Sequence, residues 1–148
     1  MAKTEKAAQA ASKLASHEPA QCKALGKVLD RIGDKWTIIV VGNLSHGPLR
    51  FNALIREVGG VSHRMLTLTL RGLEDDGLVK RTVFPTVPPK VEYELTKIGR
   101  SLIEPLESLL AWAEKHQVAI ETARASRVKR TEVETLERFG KVHSARTS

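Results

Sequence analysis

Arg64, Thr67, Leu68 and Arg71 are the residues in this chain whose types and spacing carry chemistry. On a helix turning about 100° per residue they share one face, with His63 near its edge. That face holds two guanidiniums, a hydroxyl and an apolar tip, and no carboxylate before Glu74 and Asp75. Arginine reads guanine edges bidentately or clamps phosphates, and an apolar tip touches a thymine methyl. Such a face suits recognition of a DNA duplex. The opposite face is Leu66, Leu70 and Leu73, a core stripe with spacings of 4 and 3. Ser62 precedes them where an N-cap belongs, able to satisfy an open backbone N–H of the first turn.

The elements around this face must position it. Phe51, Leu54, Ile55 and Val58 form the stripe of a packed helix, and Gly59-Gly60 permits a sharp turn into the next one. A helix, a tight turn and a second helix with a basic outer face is the helix-turn-helix pattern. On this stretch alone an ordinary helical hairpin with a solvated basic face stays open. Asp75-Asp76-Gly77 then closes the helix, and Leu78–Phe84 has the β-branched and aromatic content of a strand. Pro85, Pro88 and Pro89 keep the next six residues out of any sheet, and Val91–Leu95 alternates like a half-buried strand. This is a β-hairpin with a stiff tip, a wing behind the helix pair. Lys80, Arg81 and Lys90 reach phosphates or the minor groove from it, unless the hairpin is purely structural.

The string resembles the HxlR-type family of bacterial winged-helix transcription regulators. The resemblance rests on Cys22, Ile32 to Thr37, Gly47 to Phe51, Leu54, Ser62, Met65 to Thr67, Leu70, Leu73-Glu74, Asp76 to Val79, Pro88 to Tyr93, Leu95-Thr96 and Gly99-Arg100. The named residues run from Cys22 to Arg100 in the family's order, and the resemblance as a whole spans about Cys22 to Trp112. It implies a homodimeric DNA-binding repressor or activator without catalytic activity. Lys23 and Asp34 depart from the family's usual proline and glycine, and Leu68 stands where relatives often carry a polar residue.

Composition narrows the classes. A chain of 148 residues with a formal charge of +7 holds one ordinary domain plus extensions and fits a polyanionic partner. No apolar run approaches the roughly 20 residues of a membrane span, and the N-terminus lacks a signal-peptide core. One cysteine excludes an intrachain disulfide framework and fits a reducing cytoplasm. No phosphate-cradling loop, nucleophile elbow or metal-ligand spacing among the five histidines occurs, so neither an enzyme, a metal site nor a cofactor is expected.

The remaining segments complete the frame. Residues 1–20 read as an Ala-rich helix over Thr4–Ser16 ended by Pro19, or as a flexible arm. Leu25, Val28, Leu29 and Ile32 predict an amphipathic helix against the core, with Cys22 at its beginning. Family members use a cysteine in this region to sense oxidants or electrophiles; otherwise Cys22 is a small half-buried hydrophobe. Asp34–Leu44 reads as a strand by β-branching or as a helix capped by Asp34, and the resemblance favours the helix. Trp36 reads as core or dimer packing, and Pro48-Leu49-Arg50 as a short edge strand, with Arg50 near phosphate. Thr96 should cap a long helix that Pro105 kinks or divides. Leu102, Leu106, Leu109, Leu110, Trp112, Ala113 and Ile120 widen its apolar surface beyond what solvent tolerates, which predicts self-association. Arg124 to Ser148 reads as a basic, partly helical tail, or as one that tracks phosphates.

The expected fold is mainly α with a small β-hairpin wing (α+β), a winged helix-turn-helix with N- and C-terminal dimerisation helices. Its parts are an arm (1–20), the DNA-binding domain (21–96, recognition helix 62–75, wing 78–95), a dimerisation helix (97–123) and the tail (124–148). The expected function is sequence-specific regulation by a homodimer on an inverted-repeat operator. Arg50, Ser62, His63, Arg64, Thr67, Leu68, Arg71, Lys80, Arg81 and Lys90 address double-stranded DNA, and an oxidant or small molecule is the effector. A non-specific nucleoid-type DNA binder and a protein-interaction module are the alternatives.

Overall fold

A computed structural model describes residues 19–144, together with the helical, exposed Glu5 and Gln9. The expectation for Thr4–Ser16 otherwise lies outside the described residues. From residue 19 onward the elements are α1 (Pro19–Ile32), α2 (Lys35–Leu44), β1 (Leu49–Arg50), α3 (Phe51–Val58), α4 (His63–Asp75), β2 (Val79–Phe84), β3 (Lys90–Leu95), α5 (Lys97–Ser101) and α6 (Ile103–Ser144). The chain divides into two units, Met1–Ile103 and Glu104–Ser148.

Local chemistry sets most of these boundaries. Asp34 accepts a hydrogen bond from Thr37 N at 3.0 Å, which caps α2 and lets the β-branched run Thr37 to Val41 enter a helix. The turn between α3 and α4 places Gly59 and Gly60 at φ +62° and +70°, a region closed to most side chains. At the far end of α4, Gly77 at φ +70° donates to Glu74 O, and Leu78 donates to Leu73 O at 2.9 Å. That paired closure is the Schellman motif, and it aims the chain into the wing. The sheet is antiparallel in the order β1-β3-β2, with Leu49 opposite Tyr93 and Arg50 opposite Glu92.

The core of the first unit is Val40, Val41 and Leu44 of α2, Leu54 of α3, Leu66, Leu70 and Leu73 of α4, and Val79 and Leu95 of the wing. Every helix from α2 to α4 thus contributes its apolar stripe to one cluster. Arg31, at the end of α1, donates from Nε to Asp76 Oδ2 at 2.8 Å, and its guanidinium lies against Gly72 of α4. The tie joins α1 to the C-terminal end of α4.

One expectation is corrected here and others are sharpened. The stripe of α1 does not lie in the core of the single chain: Leu29 is 62% exposed, and Leu25 and Val28 are exposed with it. Arg31 and Ile32, at the C-terminal end of α1, are half-buried, as is Gly26. The long helix capped by Thr96 is divided, one of the two outcomes expected of Pro105, with the break at Leu102. Proline at 105 has no N–H for the carbonyl of residue 101, so the first helix ends at Ser101 and Pro105 falls in the first turn of the second. Leu106, expected on the self-association surface, is 5% exposed in the single chain. In addition, α6 runs on to Ser144 with no change of structure at 123/124.

One glycine makes a sharp test of the junction behind the wing. A Cβ on Gly99 would strike the carbonyl oxygen of Leu78, which also accepts from Thr96 N at 3.0 Å. Because backbone yields poorly, Gly99→Ala should destabilise the protein by about 1–3 kcal/mol. Urea titration would show it as a lower midpoint with an unchanged slope.

Candidate nucleic-acid interface

The two faces of α4 separate cleanly. Leu66, Leu70 and Leu73 are buried, whereas Arg64 and Arg71 are exposed and Leu68 is 49% exposed between them. Thr67 is half-buried, and its Oγ1 donates to His63 O at 2.7 Å, which leaves the hydroxyl oxygen to accept. Ser62 accepts from Met65 N at 3.0 Å, so its side chain first serves as the helix cap. His63 is exposed, with its ring 5.6 Å from that of Phe51, linking the start of α4 to the start of α3. The outer face therefore projects two charged guanidiniums and one apolar tip from a rigid helix whose other side is locked into the core.

The hairpin places its cations on two different faces. Alternation puts Val79, Arg81 and Val83 on one side, opposite Leu95, Tyr93 and Val91. Arg81 lies there, lining a cleft of about 310 Å³ with Thr67, Arg71, Glu74 and Tyr93. Lys80 and Lys90 occupy the other side, with Arg50 joining them opposite Glu92. Two of these cations have carboxylate neighbours: Lys80 Nζ is 3.7 Å from Glu94, and Arg50 Nε is 3.9 Å from Glu92. Sequence alone groups Lys80 with Arg81, but only Arg81 meets α4. Sequence alone also gives no role to Arg56, an exposed cation on α3 that shares a groove with Arg50 and Lys90.

Cys22 lies in the first turns of α1 and is exposed rather than half-buried. On α6, Leu109, Leu110, Trp112 and Ile120 are exposed, as is Ala113, and Leu102 at the helix break is half-buried. Trp112 stacks on His116 with ring centroids 4.6 Å apart. Trp36 is half-buried with Lys35 Nζ 4.4 Å above its ring, so it packs as part of α2. No helix among the described residues is long and apolar enough to cross a membrane.

A helix pair joined by a two-glycine turn, a charged outer face on its second member and a three-stranded wing behind it now stand together. Residues 31–121 match the HxlR-like helix-turn-helix family. The chain belongs to that family. A curated relative, the HTH-type transcriptional regulator YtcD of Bacillus subtilis, is 46% identical over 88 residues, covering 60% of this chain and 70% of the relative. Among solved structures, the redox regulator HypR in its reduced form is 41% identical with a TM-score of 0.61, over 67% of this chain and 98% of that one. Diamide-treated YodB from B. subtilis is 29% identical with a TM-score of 0.57, over 68% and 95% of the two chains. The HxlR-like match ends at 121, while α6 continues to Ser144.

Proposed function

We propose that this HxlR-like protein is a sequence-specific transcriptional regulator that acts by binding DNA rather than by catalysis, as a homodimer on an inverted-repeat operator. The observation that carries the reading is the outer face of α4, where Arg64, Leu68 and Arg71 are exposed above a fully buried Leu66–Leu70–Leu73 face. Arg64 and Leu68 address base edges, Arg71 and Arg81 the backbone beside them, and Lys80 and Lys90 the flanking phosphates. Self-association is supported by two apolar stripes left exposed, Leu25, Val28 and Leu29 on α1 and Leu109, Leu110, Trp112 and Ile120 on α6. A two-fold pair presents two recognition helices to successive major grooves, hence the inverted repeat.

Fluorescence anisotropy on the protein's own upstream intergenic DNA, with excess unrelated competitor at physiological salt, tests the reading. Nanomolar binding that survives competitor supports it. Binding that competitor removes, with a steep salt dependence, points instead to a charge-driven binder, a reading that the exposed Arg124, Arg127 and Arg130 of α6 favour.

The signal in this reading is an oxidant or electrophile acting at Cys22. Support comes from the exposure of its thiol and from the likeness to HypR and YodB, whose solved structures include oxidised and diamide-treated forms. As Cys22 is the chain's one cysteine, a disulfide would join two copies. Diamide should release wild-type protein from DNA, and Cys22→Ser should bind equally well with or without it. Equal release of both proteins would remove Cys22 from the mechanism.

A further inference from the structure

On the side of the wing away from the recognition helix, a groove of about 520 Å³ opens between its tip and the start of α3. Arg50, Arg56 and Lys90 line it, with Phe51, Pro88 and Pro89 as apolar walls. The three cations come from three elements: β1, α3 and β3. No carboxylate lines the groove, and among the described residues Arg56 and Lys90 have no ion pair, while Arg50 has only Glu92 at 3.9 Å. All three are exposed, so the pairing with Glu92 is the weak kind that a stronger anion displaces.

We propose that this groove is a phosphate slot for the DNA backbone, in which Arg50, Arg56 and Lys90 together hold one strand between α3 and the wing tip. The proposal deepens the DNA-binding reading by assigning a contact to Arg56 and by making the wing tip and α3 grip the same strand. Charge decides the occupant. Three converging cations with only one distant counter-charge demand a polyanion, and the walls are too open and too cationic for an apolar ligand. The first turn of α3 agrees with this, since it has no acidic residue and Arg50 at its cap position makes no side-chain hydrogen bond to it. A slot of this kind sets register without reading bases, because phosphates carry no sequence information.

The test is the salt dependence of binding by the full chain, comparing wild type, Arg56→Gln and the double variant Arg56→Gln/Lys90→Gln, on operator and on unrelated duplex. Removing one phosphate-binding cation should flatten the plot of log affinity against log salt by about 0.9. A rise from about 50 to about 200 mM salt would then weaken Arg56→Gln about 3.5-fold less than wild type. The change should be equal on both DNAs, with the specificity ratio unchanged. Lys97→Gln, which removes an exposed cation outside the groove, controls for net charge. Matching thermal melts confirm that the variants fold. An unchanged slope in the double variant, or the same change in the Lys97 control, overturns the slot. Because unrelated duplex reports the same contact, this outcome is separate from any failure of sequence-specific regulation, which would show as absent discrimination by wild type.

Discussion

Replacing Leu66 by alanine should lower the free energy of unfolding by about 2–5 kcal/mol, a large share of what a domain of this size possesses. Leu66 is fully buried in α4 among the side chains of α2, α3 and the wing that form the core. Truncation removes transfer energy and leaves a cavity that rigid neighbours fill only in part. A helix of 13 residues has little stability of its own in water, so α4 depends on this packing to exist at all. The decisive comparison is with Leu68, two positions along and 49% exposed. Leu68→Ala should leave the urea midpoint nearly unchanged yet weaken operator binding, while Leu66→Ala should move the midpoint strongly. If both shift the midpoint equally, the assignment of core and outer faces of α4 is wrong.

The second large effect concerns Arg64. Its side chain is exposed on the outer face in the first turn of α4, the end of a recognition helix that meets base edges. Arg64→Ala should weaken operator binding by about 1–3 kcal/mol, roughly 5- to 150-fold, with little change in affinity for unrelated duplex. Binding measured across single-base variants of the operator identifies the position read, because the variant loses discrimination there and nowhere else. A loss spread evenly over all sequences would make Arg64 a phosphate contact instead. Arg56 is expected to give that even pattern, so the two substitutions calibrate each other.

The outer face of α4 was legible because helical periodicity converts spacing directly into direction, and Leu66, Leu70 and Leu73 left only one way to turn the helix. The winged fold was legible for the same reason, with Gly59-Gly60, Gly77 and the prolines of the wing tip punctuating it. The helix at Lys35–Leu44 was ambiguous because Thr37 to Val41 favours a strand locally; the Asp34 cap and the burial of Thr37, Val40, Val41 and Leu44 as one helical stripe override that preference. For α1, periodicity disclosed an apolar stripe but not what covers it, since amphipathicity is a property of one helix and burial belongs to two surfaces. The break at Leu102 was displaced from Pro105 because proline acts on the carbonyl of the preceding turn. The opposite placement of Lys80 and Arg81 follows from adjacency in a strand, whose successive side chains alternate. Arg56 was hidden for a different reason: its groove is made with residues some thirty positions away, brought close by the pairing of β1 with β3.

The Arg50–Glu92 and Lys80–Glu94 contacts give the wing a built-in ballast of negative charge. On any duplex each of those cations exchanges a carboxylate for a phosphate, and the net electrostatic gain is small. Exposed pairs of this length are worth only about 0.2–1 kcal/mol, so they part readily when a phosphate arrives. In the proposed DNA-binding reading, Arg50 and Lys80 should therefore add little to the hold on any duplex, and discrimination should rest on α4. A wing half-neutralised by its own sheet is expected to leave unrelated DNA faster than one without those carboxylates.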